Sequence, residues 1–188
     1  INALKYDAHR NVIWIALNNG GLCFIDLSTK KLKVLEKERT FYSVCTKDTF
    51  AYFGALGTSL RKYNDFEIKD KGNSNYANTI NAIFAASDGH IWCGAWDNAI
   101  HQFDSKTQLQ KSYLFDGSKK LDSSGDEILT ISEDDHHNLW LGTKFSGLLL
   151  FNLITKTFVE ELECSPTITS RINYIFKDSY NRMWICAN

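Results

Sequence analysis

Hydrophobic and polar positions alternate along most of the chain, and short polar turns break the alternation at regular intervals. "INAIFAASDGHIWCGAW" (80–96) shows the unit. One alternating run ends at Ser87-Asp88-Gly89 and a second follows, the pattern of a β-hairpin and not of a helix. Equivalent breaks fall at Asp7 to Asn11, Lys47-Asp48-Thr49, Asp134 to Asn138 and Asp178 to Asn181. Four of these hairpins lead into a third strand ("GGLCFID", "TSLRKYN", "NAIHQFD", "SGLLLFN"). A weaker fourth closes the unit ("KLKVLE", "EIKDKG", "QLQKSYLF", "TFVEEL").

The units align on one aromatic residue each: Trp14, Tyr52, Trp92, Trp140 and Trp184, spaced by 38, 40, 48 and 44 residues. Two places after each comes a small residue, Ala16, Gly54, Gly94, Gly142 or Cys186. Twelve places after each of the first four stands Asp26, Asn64, Asp104 or Asn152, and twelve before each of the last three stands Ile80, Ile128 or Ile172. Four short antiparallel strands repeating every 40 to 45 residues describe the blade of a β-propeller. The chain is therefore expected to be all-β, with about four and a half blades at approximately 1–38, 39–78, 79–126, 127–170 and, for the half blade, 171–188. One large ring per unit is expected to fill the wedge between sheets, and the small residue to let neighbouring sheets approach. Pro166 falls between units, where it costs no ladder hydrogen bond.

In outline the copies read I-x-x-I, then D-x-x-x-x-L-W-L-G-T, then G-L-x-x-F-[DN]. "ILTISEDDHHNLWLGTKFSGLLLFN" (128–152) carries this most fully and "INAIFAASDGHIWCGAWDNAIHQFD" (80–104) next, while "INYIFKDSYNRMWICAN" (172–188) matches the first half. This resembles the two-component regulator propeller repeat of hybrid histidine kinase sensor regions, notably from polysaccharide-degrading gut Bacteroidetes. The resemblance covers nearly the whole chain. The copy at 41–64 departs most, with Tyr52 for Trp and no Gly-Gly pair. It implies a periplasmic, ligand-sensing fragment of an incomplete, seven-bladed propeller, an oligosaccharide ligand, and a kinase elsewhere in the protein. Missing blades of its own chain or a second copy would then complete the ring. As a fragment it is expected not to be an enzyme. The alternatives are a propeller hydrolase or lyase with a central metal, and a protein-interaction scaffold.

Composition narrows the partners. Lysine plus arginine (21) nearly cancels aspartate plus glutamate (22) over 188 residues, so no net field draws nucleic acid or an anionic membrane. The longest apolar run, "GLLLFNLI" at 147–154, is far short of a bilayer span. The chain opens at Ile1 and stops at Asn188 inside apolar patterns and is read as a piece of a longer protein. Of the five cysteines, Cys23, Cys45, Cys93 and Cys186 lie in strand-like runs and are expected to behave as small buried hydrophobes; Cys164 does not, and no CxxC pair occurs.

Chemistry is sparse. His9, His90 and His136-His137 lie in turns, His101 on a third strand, and none has metal-ligand spacing, so no metal and no cofactor is expected. "DSSGDE" (122–127) lacks the spacing of a calcium loop. Binding residues are instead sought where the copies differ, in the loops between second and third strands and those leading into first strands. These are Asn18, Asn19, Trp96, Asp97, Asn98, Lys144 and Phe145, with Asp126 and Arg171 as the charged residues of the approach loops. Trp96 is the tryptophan the repeat does not require. A ring beside amides and carboxylates suits a sugar, whose apolar face stacks while its hydroxyls pair.

Overall fold

The computed structural model describes residues 1–64, 66–70, 78–115, 125–159 and 171–188. Cys164, Pro166 and parts of the expected second and fourth closing strands and of the 122–127 segment lie outside the described residues. Among the described residues there is no helix. Sheet one consists of β1 (Ala3–Asp7), β2 (Val12–Ala16), β3 (Leu22–Asp26) and β4 (Lys31–Glu36). Sheet two has β5 (Phe41–Lys47), β6 (Phe50–Ala55), β7 (Thr58–Asn64) and β8 (Glu67–Asp70), and sheet three β9 (Ile80–Ala85), β10 (Ile91–Ala95), β11 (Ala99–Phe103) and β12 (Leu109–Leu114). Sheet four has β13 (Ile128–Glu133), β14 (Asn138–Thr143), β15 (Leu148–Asn152) and β16 (Thr157–Phe158), and sheet five β17 (Ile172–Lys177) and β18 (Met183–Ala187). Every sheet pairs its strands antiparallel in chain order.

The sheets stack in a propeller-like array. First strands of consecutive sheets stand side by side, β1 by β5, β5 by β9, β9 by β13 and β13 by β17. They line an open cavity of about 1070 Å³. Between sheets the repeat anchors meet. Trp14 packs on Phe53 of sheet two at 5.3 Å between centroids, and Trp92 on Phe151 of sheet four at 5.2 Å. The small residues sit where the next sheet's first strand crosses. A Cβ on Gly94 would stand 2.5 Å from the Ile128 Cβ, one on Gly54 2.6 Å from the Ile80 carbonyl oxygen, and one on Gly142 2.6 Å from Ile172 Cγ2. The glycine of one copy and the isoleucine of the next are thus a single contact.

Two expectations need correction, for one reason. Trp14, Tyr52 and Trp92 are buried, but Trp140 is only half-buried and Trp184 is 54% exposed. Cys23, Cys45 and Cys93 are buried, and burial pushes the Cys45 thiol up to about 12, whereas Cys186 is exposed. Sheet five brings only two strands to cover Trp140, and no described sheet covers Trp184 and Cys186 in turn.

Each repeat tryptophan is also held at its polar edge. The indole N–H donates to a carboxylate in its own hairpin turn: Trp14 to Asp7 at 3.0 Å, Trp92 to Asp88 at 3.2 Å, Trp140 to Asp134 at 2.8 Å and Trp184 to Asp178 at 2.9 Å. Burial pushes the Asp88 carboxyl up, but the bonds from Lys156, the His90 backbone and Trp92 outweigh it and hold the group below its ordinary range. Asp7 and Asp134 are held low by the same balance. A depressed carboxyl stabilises the fold fully above its unfolded pKa, about 4, and loses that contribution as pH falls through the lower folded value. Asp88→Asn should therefore cost about 1–3 kcal/mol at neutral pH. The gap from wild type in denaturant titrations should stay level down to about pH 4 and narrow below it. A gap that stays constant to pH 2 would remove the carboxylate's role.

Candidate functional site

The loops between second and third strands share one face with the approach loops, and each is tied to its neighbour by hydrogen bonds. Thr40, ahead of β5, donates from Oγ1 to Asn19 Oδ1 at 2.7 Å and accepts from the Asn19 N–H at 3.0 Å; Asn18 Oδ1 lies 3.2 Å away. Thr79, ahead of β9, accepts from the Gly57 N–H at 3.0 Å. Asp126, ahead of β13, does most. Its carbonyl accepts from the Asn98 N–H at 3.2 Å, and its own N–H donates to Asn98 Oδ1. Its carboxylate accepts from the N–H groups of Phe145 at 3.0 Å and Ser146 at 2.8 Å.

This separates the sequence candidates. Asp126 is fully buried and both carboxylate oxygens take loop amides, so it belongs to the scaffold beneath the face and not to its surface. Asn18 and Asn19 are exposed over sheet one, held on Thr40. Arg171 is exposed at the approach to sheet five, its Nε donating to Asn173 Oδ1 at 2.8 Å. Trp96, Asp97 and Asn98 of sheet three and Lys144 and Phe145 of sheet four are the candidates brought together, joined through Asp126. Lys144 Nζ lies 2.5 Å from Glu127 Oε1 and 5.0 Å from the Phe145 ring centroid. Glu127 Oε2 accepts from Asn81 Nδ2 at 3.4 Å, which fixes that amide and leaves its buried Oδ1 without a partner.

Trp96 stands apart from the other four tryptophans. It is 41% exposed, and among the described residues its indole N–H alone has no acceptor. Its ring meets Tyr42 of β5, with centroids 6.4 Å apart and planes at 54°. The loop beneath it is anchored from two sides. Asn78 Nδ2 donates to Asp97 Oδ2 at 3.2 Å, and Asp97 Oδ1 lies 3.0 Å from His101 Nε2. His101 is buried, and its Nδ1 is 2.8 Å from Ser112 Oγ. Sequence reading places His101 on a third strand and the clasping aspartates in turns, and assigns no site role to them or to Tyr42. Tyr42 carried a signal, since it stands where Asn2, Asn81 and Asn173 stand in other copies. His101 carried none, because its partners come from a loop and a neighbouring strand. Among the described residues no group of three or more histidines, cysteines or carboxylates gathers as a metal site.

No family model matches the chain. The histidine kinase P4 of Formosa agariphila is 26% identical over 152 residues, which is 74% of this chain and 11% of that protein. The extracellular domain of the hybrid two-component system BT3049 of B. thetaiotaomicron superposes with a TM-score of 0.73 at 20% identity, over 99% of this chain and 25% of that one. That of BT4673 from the same organism gives 0.67 at 22% identity, over 94% and 25%. The curated relative is thus a histidine kinase, and these two solved neighbours are extracellular domains of hybrid two-component systems. At these identities the structural likeness establishes a shared fold, in agreement with the repeat resemblance. The chain spans a quarter of those extracellular domains and about a tenth of the curated relative.

Proposed function

We propose that this chain is part of an extracytoplasmic sensor propeller that binds an oligosaccharide and passes the signal to a histidine kinase elsewhere in the intact protein. The observation that carries the reading is Trp96. The repeat clasps its four anchor tryptophans with aspartates, while Trp96 presents an exposed face and an unused donor beside Tyr42. An amphipathic ring with a free polar edge is what a sugar ring requires of a protein surface. The supporting context is that the structural neighbours are extracellular domains of hybrid two-component systems and the curated relative is a histidine kinase. On this reading the chain binds and does no chemistry, and binding acts by biasing the packing of sheets on one another.

The same reading makes the array an incomplete, seven-bladed ring on the periplasmic side of the membrane. Leu4, Tyr6, Leu32 and Val34 are exposed on sheet one, and Tyr174, Phe176 and Trp184 on sheet five. Apolar sheet faces of this kind call for a cover, and missing blades of the intact protein or a second copy of the chain would supply it. The ligand reading is tested by calorimetry against a glycan panel. Trp96→Ala should weaken binding roughly tenfold or more, as loss of an aromatic anchor does, with an unchanged melting temperature. A variant that binds as wild type does would sink the site.

A further inference from the structure

We infer that the ligand is an extended oligosaccharide lying along an aromatic track over sheets two, three and four, and that Asp126 is the positioning residue that sets the track's spacing. The inference rests on the carbohydrate reading of the Trp96 face. Tyr42 and Trp96 touch each other at 6.4 Å between centroids, so they form an open platform and not a clamp around one ring. Phe145, half-buried, lies at the nearly equivalent place of the next sheet, in the loop between β14 and β15. Unlike Tyr42 and Trp96, the Trp96 and Phe145 rings make no contact with each other among the described residues, so they offer two separate stacking surfaces on adjacent sheets. A chain of several units reaches both.

The spacing is built in. Asp126 exchanges two backbone–amide bonds with Asn98 on one side and takes the Phe145 and Ser146 amides on the other, so one buried residue joins the two aromatic loops. On the Trp96 side, Asp97 is secured to Asn78 and to buried His101. Loops held this way lose little freedom when a ligand bridges them, and the second contact then adds affinity as an intramolecular event.

The test is calorimetry of the chain with gluco-, manno-, xylo- and galacturonate oligosaccharides of one to six units. Affinity for the recognised series should rise by on the order of tenfold or more with length and then level off. Phe145→Ala should flatten that rise and leave the affinity for the shortest binding member unchanged. Trp96→Ala should weaken all lengths. Asp126→Asn should reduce the length dependence, with its thermal melt showing whether it folds; Phe145→Ala decides the matter if it does not. Equal affinity at all lengths would overturn the track and leave a one-ring sugar site standing. A wild-type chain that binds none of the four series would overturn the track and the carbohydrate reading together.

Discussion

Glu36→Ala should destabilise the protein by about 3–5 kcal/mol, the cost of leaving a buried charge without its partner. Glu36 closes the last strand of sheet one, and its Oε1 lies 2.6 Å from Arg61 Nη1 on β7 of sheet two. The Tyr63 hydroxyl donates to the same oxygen. The Arg61 and Glu36 side chains are only 8% and 15% exposed, so water cannot replace a lost partner. Burial pushes the Tyr63 hydroxyl well up, and the bond to Glu36 pushes it further. Removing the carboxylate therefore strands a guanidinium, whose Nε already lacks a partner, and a phenol at the interface of two sheets. Arg61→Leu alone should cost less, because Glu36 keeps the Tyr63 hydroxyl and Arg39 Nε at 3.7 Å. The double variant Glu36→Leu/Arg61→Leu should recover part of the loss, since an apolar pair of similar volume is often tolerated where an ion pair was buried. Urea titrations of the wild type, Glu36→Leu, Arg61→Leu and the double variant complete the cycle. A double variant as unstable as Glu36→Ala would show that the cost lies in packing and not in the orphaned charge.

What was legible in the sequence follows from what the fold repeats. Trp14, Trp92 and Trp140 recur because every sheet must bury one face against the next, and Gly94 and Gly142 recur because Ile128 and Ile172 cross at those points. Such demands are local in the unit and identical in each copy, so they leave a period. The binding face obeys a different rule. Asp126 reads as a charged loop residue, yet its carboxylate serves two amides about twenty positions onward. Tyr42 meets Trp96 from the first strand of the preceding sheet, a contact that only the stacking of sheets produces. The aspartate clasps lie between these cases. They occur in four copies, but the interval from aspartate to tryptophan is seven, four, six and six residues, because turn length varies beneath a conserved contact. The copy with Tyr52 has no indole to clasp and shows no such bond.

Trp92→Ala and Trp184→Ala should differ sharply, although the two residues hold the same place in the repeat. Trp92 is fully buried between sheets three and four, against Tyr113 at 5.6 Å and Phe151 at 5.2 Å, with Lys156 Nζ 4.7 Å from its ring centroid. Truncation should cost about 3–5 kcal/mol, the transfer energy of the ring together with the cavity it leaves. Trp184 keeps its bond to Asp178 and Arg182 lies 5.3 Å from its ring, but over half of it faces solvent. Its truncation should cost less than about 1 kcal/mol in dilute solution. Position in the repeat defines what a residue can pack against, while the energy comes only from the neighbour that arrives. The comparison therefore also probes what covers sheet five. A Trp184→Ala cost that stays small at every protein concentration would mean that no second copy covers that face. A cost that climbs toward the Trp92 value as concentration rises would mean that a second copy covers it, because association stabilises the folded state by mass action.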